Sequence, residues 1–274
     1  MSMTVTRSSP AHAKIALFRS LFRGREDVYS RRCESRRTGK SGYLPACAHE
    51  WVRGICEKPR IEGADCRHRR CLPLTDEVIA WHLTGRDGGG QPFVAGVYPL
   101  LPDETCCCLA IDFDKASWCE DTAAFLDTCR RSRIPAAFER SRSGRGAHVW
   151  IFFDTAIPAA LARRLGSHLL TETMKGRPDV GLDSSDRLFP SQDTMPQGGF
   201  GNLIALPLQK RAREQGDSVF LDDAFVAWTD QWAFLGSVGK MSRAQAEEIT
   251  QEAERRGRIL GVRLPPQEDG DDHP

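Results

Sequence analysis

The residues with the clearest capacity for chemistry are Asp112 and Asp114, in Leu109-Ala-Ile-Asp-Phe-Asp-Lys115, and the run Ser143-Gly-Arg-Gly-Ala-His148. Alternate residues of an extended strand share a face, so aspartates at i and i+2 point the same way. Two neighbouring carboxylates are costly unless a cation sits between them, which makes a divalent metal the expected third party. The glycine-rich turn before His148 is a candidate phosphate cradle beside it, because consecutive N–H groups in such a turn form an anion-binding nest. A lone histidine before a strand is more often an ordinary polar residue than a ligand. The turn and the upstream acids reverse that preference for His148, whereas His82 and His168 are read as ordinary.

The elements around these residues follow from pattern. Thr105–Phe113 is a near-continuous apolar run and reads as a buried strand, with Cys106, Cys107 and Cys108 acting as small hydrophobes. Ser117 with Glu120 is a capping-box signature for a helix over Trp118–Arg131. Ala136–Arg140 and His148–Phe153 read as two strands joined by the glycine turn. Helical spacing predicts helices over Ala13–Phe22, Thr75–Leu83, Ile157–Met174 and from Ser242 to about Ile259, and strands are expected at Phe93–Pro99 and Asn202–Leu208. Residues 176–201, rich in Gly, Pro and Asp, read as a long loop with one short strand. This order predicts an α+β domain with a small, mostly antiparallel sheet and the acidic pair on its exposed face.

The chain of 274 residues is 40% apolar and 27% charged, as globular proteins are. No apolar run reaches the roughly 18–20 residues of a membrane span, and the first residues show no signal-peptide pattern, so no membrane and a cytoplasmic location are expected. The net charge of +1 hides an asymmetry: residues 1–75 hold 16 Lys and Arg against 7 Asp and Glu. A basic segment of that kind suits an anionic polymer or is simply a solvated face. It is also where Cys47, His49, Cys56, Cys66, His68 and Cys71 fall, and residues 29–73 lack the periodicity to build a core. Zinc held by Cys47, Cys56 and Cys66, with Cys71, His68 or His49 as fourth ligand, would staple such a segment. The spacing contains no Cys-x-x-Cys pair, and unpaired cysteines in a loop are the alternative. Trp51, Trp81 and Trp150 could stack on nucleobases, but core packing is the expected role of each.

Taken in order, these motifs resemble the archaeo-eukaryotic primase superfamily, in which an Asp-x-Asp strand, a Ser-Gly-x-Gly-x-His strand and a later acidic motif mark the core. More closely, the chain is similar to the primase domain of TOTE-type conflict systems. The likeness runs through Arg36-Arg-Thr-Gly-Lys-Ser-Gly42, Glu50-Trp-Val-Arg-Gly-Ile-Cys56, Asp112-Phe-Asp-Lys115, Ser141-Arg-Ser-Gly144, Phe189-Pro-Ser-Gln-Asp193 and Gly199-Phe-Gly-Asn-Leu-Ile-Ala-Leu-Pro-Leu-Gln209. It covers roughly residues 28–237. Relatives carry Cys-x-x-Cys where this chain has Gly63-Ala-Asp-Cys66, so one zinc ligand looks lost.

The resemblance implies an RRM-like sheet with flanking helices. It divides the chain into a flexible start (1–28), a basic Cys/His-rich segment (29–83), a catalytic core (84–240), and a C-terminal helix with an acidic disordered tail (241–274). It implies DNA primase-polymerase activity with two Mg²⁺ or Mn²⁺ ions on Asp112, Asp114 and a third acid. That acid is Asp186, with Asp193 as rival and Asp183 a weaker choice. His148 would meet the incoming nucleotide's phosphates, helped by Ser143 and the turn Gly144, Arg145 and Gly146. Lys115, Arg142, Lys210 and Arg211 are candidates for phosphate or template backbone by position and charge. Implied partners are single-stranded or primed DNA, nucleoside triphosphates, and a helicase and nuclease of the same system, with this chain a stand-alone component or a piece of one. The alternatives are a non-catalytic single-strand-binding module and, more weakly, a sugar-nucleotide transferase using its Asp-x-Asp for metal.

Overall fold

The computed structural model describes residues 4–34, 39, 41–58, 60–61, 66–177 and 188–257. Two antiparallel sheets lie face to face, with a helical layer behind the larger one. The larger sheet runs β7(Leu188–Phe189), β4(Thr105–Phe113), β6(Ala147–Pro158), β5(Ala137–Arg140), β9(Val219–Phe220). The smaller runs β2(Ser41–Pro45), β1(Ser30–Glu34), β3(Ala95–Val97), β8(Ile204–Ala205). Every ladder between these strands is antiparallel.

Strand alternation sorts β4 and β6 into two cores. Leu109, Ile111 and Phe113, with Val149, Ile151 and Phe153, pack under α3(Trp118–Arg131), α4(Ala159–Gly176) and α7(Arg243–Arg255) through Phe125, Leu165, Leu169 and Ala246. Cys108, Ala110, Trp150 and Phe152 face the other way, onto Phe93, Ala95, Val97 and Ile204 of the smaller sheet's layer. Asp112 belongs to this second set, two residues beyond Ala110. The expected exposed sheet face is therefore covered, because a second sheet packs on it, and the acid sits where the two layers part.

Several expectations are revised. The helix expected over Ala13–Phe22 is α1(Ala11–Leu21), but it is no flexible start: its Phe18 and Leu21 are buried and its neighbour Phe22 meets Trp150 and Phe152 edge-on at 5.0 and 5.3 Å. Ser117 does not cap α3; its hydroxyl donates to Asp121 instead. The box at Ser242 and Gln245 does form, opening α7. Residues 29–73 contain the β1–β2 hairpin, which apolar periodicity could not show because its residues are mostly polar and its order comes from pairing with β3. No described helix is long and apolar enough to cross a membrane.

His82, at the end of α2(Asp76–Thr84), is fully buried as a core histidine. Its Nδ1 accepts from the Ala95 N–H at 3.0 Å, so Nε2 carries the proton that it donates to the Pro207 carbonyl at 2.9 Å. Burial pushes its pKa down to about 4. A depressed folded value stabilises the fold above the unfolded pKa near 6.5 and is lost as pH falls towards 4, a change of ~3 kcal/mol. Urea unfolding between pH 7 and 4 should show this slope, and His82→Gln, which cannot titrate, should flatten it.

Candidate active site

The strand registers put three side chains in one row across the larger sheet. Asp112 of β4 lies opposite His148 of β6, and His148 opposite Glu139 of β5. The His148 Nε2 stands 3.7 Å from Asp112 Oδ1, and its Nδ1 lies 3.0 Å from Glu139 Oε2. Glu139 is 1% exposed, and the same oxygen accepts from Trp150 Nε1 at 2.9 Å. Burial disfavours the imidazolium, but the Glu139 carboxylate, followed by Asp112, outweighs it, so His148 titrates above its ordinary value. With Glu139 accepting at Nδ1, the ring presents Nε2 towards Asp112. Pattern reasoning missed Glu139. The signal was the hairpin itself, since a turn that pairs Arg140 with Ala147 must set Glu139 opposite His148.

The β5–β6 turn sits against the end of β4. A Cβ at Gly146 would stand 2.7 Å from the Phe113 carbonyl oxygen and 3.3 Å from the Asp114 Cα. Gly146→Ala should force turn and strand apart and cost about 1–3 kcal/mol in denaturant unfolding; an unchanged midpoint would show that the contact does not matter. Gly144 adopts φ +71°, and a Cβ there would meet Asp217 Oδ1 at 2.6 Å. Inside the turn the Gly144 N–H donates to the Ser141 carbonyl and the Arg145 N–H to the Ser143 hydroxyl. Two of the expected cradle donors are thus engaged, which leaves side chains to do more of any phosphate binding.

Asp114 lies one residue past β4 and is exposed. It lines an open groove of about 590 Å³ with Lys115, Ser143, Gly144 and Arg145, so the structure brings these five together. Arg142 turns towards the smaller sheet, beside the Tyr43 phenol, whose pKa burial raises although Arg142 opposes it. Lys210 and Arg211, on the short α5(Lys210–Arg213), lie instead beside Gly85 at the end of α2, where Lys210 pairs with Glu214. Asp193 is paired with Arg163 of α4. β7 starts opposite Ile111 and runs away from Asp112, and Met195 already reaches Glu104 before the start of β4. Asp193 therefore belongs to the far end of the strand. Asp186 and Asp183 lie outside the described residues.

Carboxylates at the rim of a solvated groove suit a hard divalent cation such as Mg²⁺ or Mn²⁺. Among the described residues no three metal-binding side chains are gathered, so a complete shell needs further ligands. The cysteine segment fits zinc less well. Cys47, Cys56 and Cys66 line one small cavity with His49 and His68, and Cys71 pairs with Cys47 through the backbone, both thiols being free. The His49 Nδ1 bonds the His68 carbonyl oxygen, Cys47 Sγ accepts from the Arg70 N–H, and burial holds the Cys71 thiol pKa up. Among the described residues these side chains are not placed as three ligands of one ion.

No curated protein matches the chain. The family model of the TOTE conflict system archaeo-eukaryotic primase domain matches residues 13–249, from within α1 to within α7, and takes in both sheets and the helical layer. With Asp112 facing His148 inside that span, the chain belongs to the archaeo-eukaryotic primase domain family of TOTE conflict systems, a family of the nucleotidyltransferase type.

Proposed function

We propose that the chain is a DNA primase-polymerase that makes or extends primers on a single-stranded or primed template. The observation that supports this most directly is the row Asp112–His148–Glu139 beside a groove gathering Asp114, Lys115, Ser143 and Arg145. Acids, cations and an imidazole gathered at one end of the sheet suit a metal-bound triphosphate. His148 donates from Nε2 to a phosphate oxygen, and Glu139 keeps that nitrogen aimed and favours the protonated ring. Lys115 and Arg145 flank the remaining phosphate oxygens, and Ser143 adds a hydroxyl. Asp112 and Asp114, with Asp186 as the proposed third acid, would hold the divalent ions. When bound, these neutralise the triphosphate and lower the pKa of the attacking 3′-hydroxyl.

A helicase and a nuclease of the same conflict system are the proposed protein partners, on the strength of the family. The test is primer extension by the full chain with Mg²⁺ or Mn²⁺ and each class of nucleoside triphosphate. Template-dependent growth is expected. No incorporation under any combination would refute the enzyme and leave a strand-binding module.

A further inference from the structure

Of the seven large apolar side chains exposed among the described residues, five fall between residues 44 and 72: Leu44, Trp51, Val52, Ile55 and Leu72. Trp51 is the extreme at 67% exposed. This corrects its expected role in the core, which Trp150 does fill at 0%. Its backbone has φ +61°, a region that bulky residues rarely occupy. The conformation is set by a run of turns in which the Glu50 N–H donates to the Cys47 carbonyl, Val52 to His49, and Ile55 and Cys56 to Val52. The indole is therefore held outward by ordered backbone. Lys58 braces it, with Nζ 5.9 Å from the ring centroid and 2.9 Å from Glu50. Arg53 and Arg60 are exposed close by in sequence, and Glu57 is the exposed acid among the described residues 50–61.

An outward aromatic face with guanidinium groups beside it has the chemistry that grips a nucleobase and its flanking phosphates. The patch is also within reach of the groove. Tyr43 lies beside Arg142 of the glycine turn, and the eight residues from Tyr43 to Trp51 span at most about 28 Å. A strand rising ~3.4 Å per nucleotide covers that distance in about eight nucleotides. We propose that Trp51 is a stacking platform for a base of the single-stranded template, with Arg53 and Arg60 on the adjoining phosphates. The word template rests on the polymerase reading above.

The test is fluorescence anisotropy of a labelled oligothymidylate of about sixteen nucleotides with the full chain. Trp51→Ala should weaken binding about tenfold, and Trp51→Phe, which keeps a π-face, should recover most of it. Arg53→Ala should lower the slope of log affinity against log salt by about one. Melting curves should match the wild type, since the side chain is exposed. Affinity of Trp51→Ala within about twofold of the wild type would overturn the proposal, and a simultaneous change in self-association would then assign the patch to protein contact. If the wild type extends no primer while Trp51→Ala still loses the strand, the polymerase reading fails and the stacking site stands. If it extends primers and Trp51→Ala binds normally, only the stacking site fails.

Discussion

Asp112→Asn should abolish nucleotide incorporation, by at least ~10³-fold, and leave the fold intact. The amide keeps the shape of the carboxylate but not its charge or its second strong acceptor, and a divalent cation needs both. The fold should tolerate the change, since the Asp112 side chain is 30% exposed and lies one residue before the end of its strand. Its approach to His148, at 3.7 Å, is too long for a good hydrogen bond. Removing a negative charge from the rim should leave single-strand binding unchanged or tighter. Gel-resolved primer extension and anisotropy on the same preparation separate the two properties. If Asp112→Asn incorporates nucleotides within about tenfold of the wild type, the acid pair does not hold the metal, and the catalytic centre lies elsewhere.

How much of this was legible depends on what kind of order held each piece. β4 was readable to the residue because its apolar run is long and local, α3 because Ser117 and Glu120 mark its start although the box itself does not form, and Asp112 and His148 stood out because polar side chains rarely end such apolar runs. That they oppose each other is a matter of register, and register lives in the turn. The hairpin closing Ser141 onto Gly146 fixes it, so Glu139 could have been counted to its place. The second sheet was legible only in part. The strands expected at Phe93–Pro99 and Asn202–Leu208 contain β3 and β8, but β1 and β2 are mostly polar, and the order of all four comes from pairing across large sequence separations. Without that sheet the face carrying Asp112 looked open to solvent. Trp51 was misjudged for a related reason: an aromatic in an aperiodic segment gives no sign of whether a core exists to receive it.

Glu139 carries the second large effect. Its carboxylate is buried with no Lys or Arg ion pair described, and it is held by His148, by Trp150 and, at 3.5 Å, by the Ser218 hydroxyl. Glu139→Ala should strip the acceptor from two buried ring N–H groups and leave any imidazolium unpaired, at a cost of ~3 kcal/mol in unfolding. Glu139→Gln is the sharper experiment. The carboxamide oxygen can take the place of Oε2 and still accept from both His148 and Trp150, with the NH₂ end towards the Ser218 hydroxyl. The His148 ring then keeps its hydrogen-bond partner and loses the negative charge beside it. Stability should fall less than in the alanine variant, while incorporation drops by about 10–100-fold, the usual loss when the partner of an active-site ligand is mutated. The drop should fall on kcat, with KM for the primer–template unchanged, because Glu139 is too buried to touch the strand. A loss shared equally with primer–template affinity would show that Glu139 supports the sheet and not the imidazole.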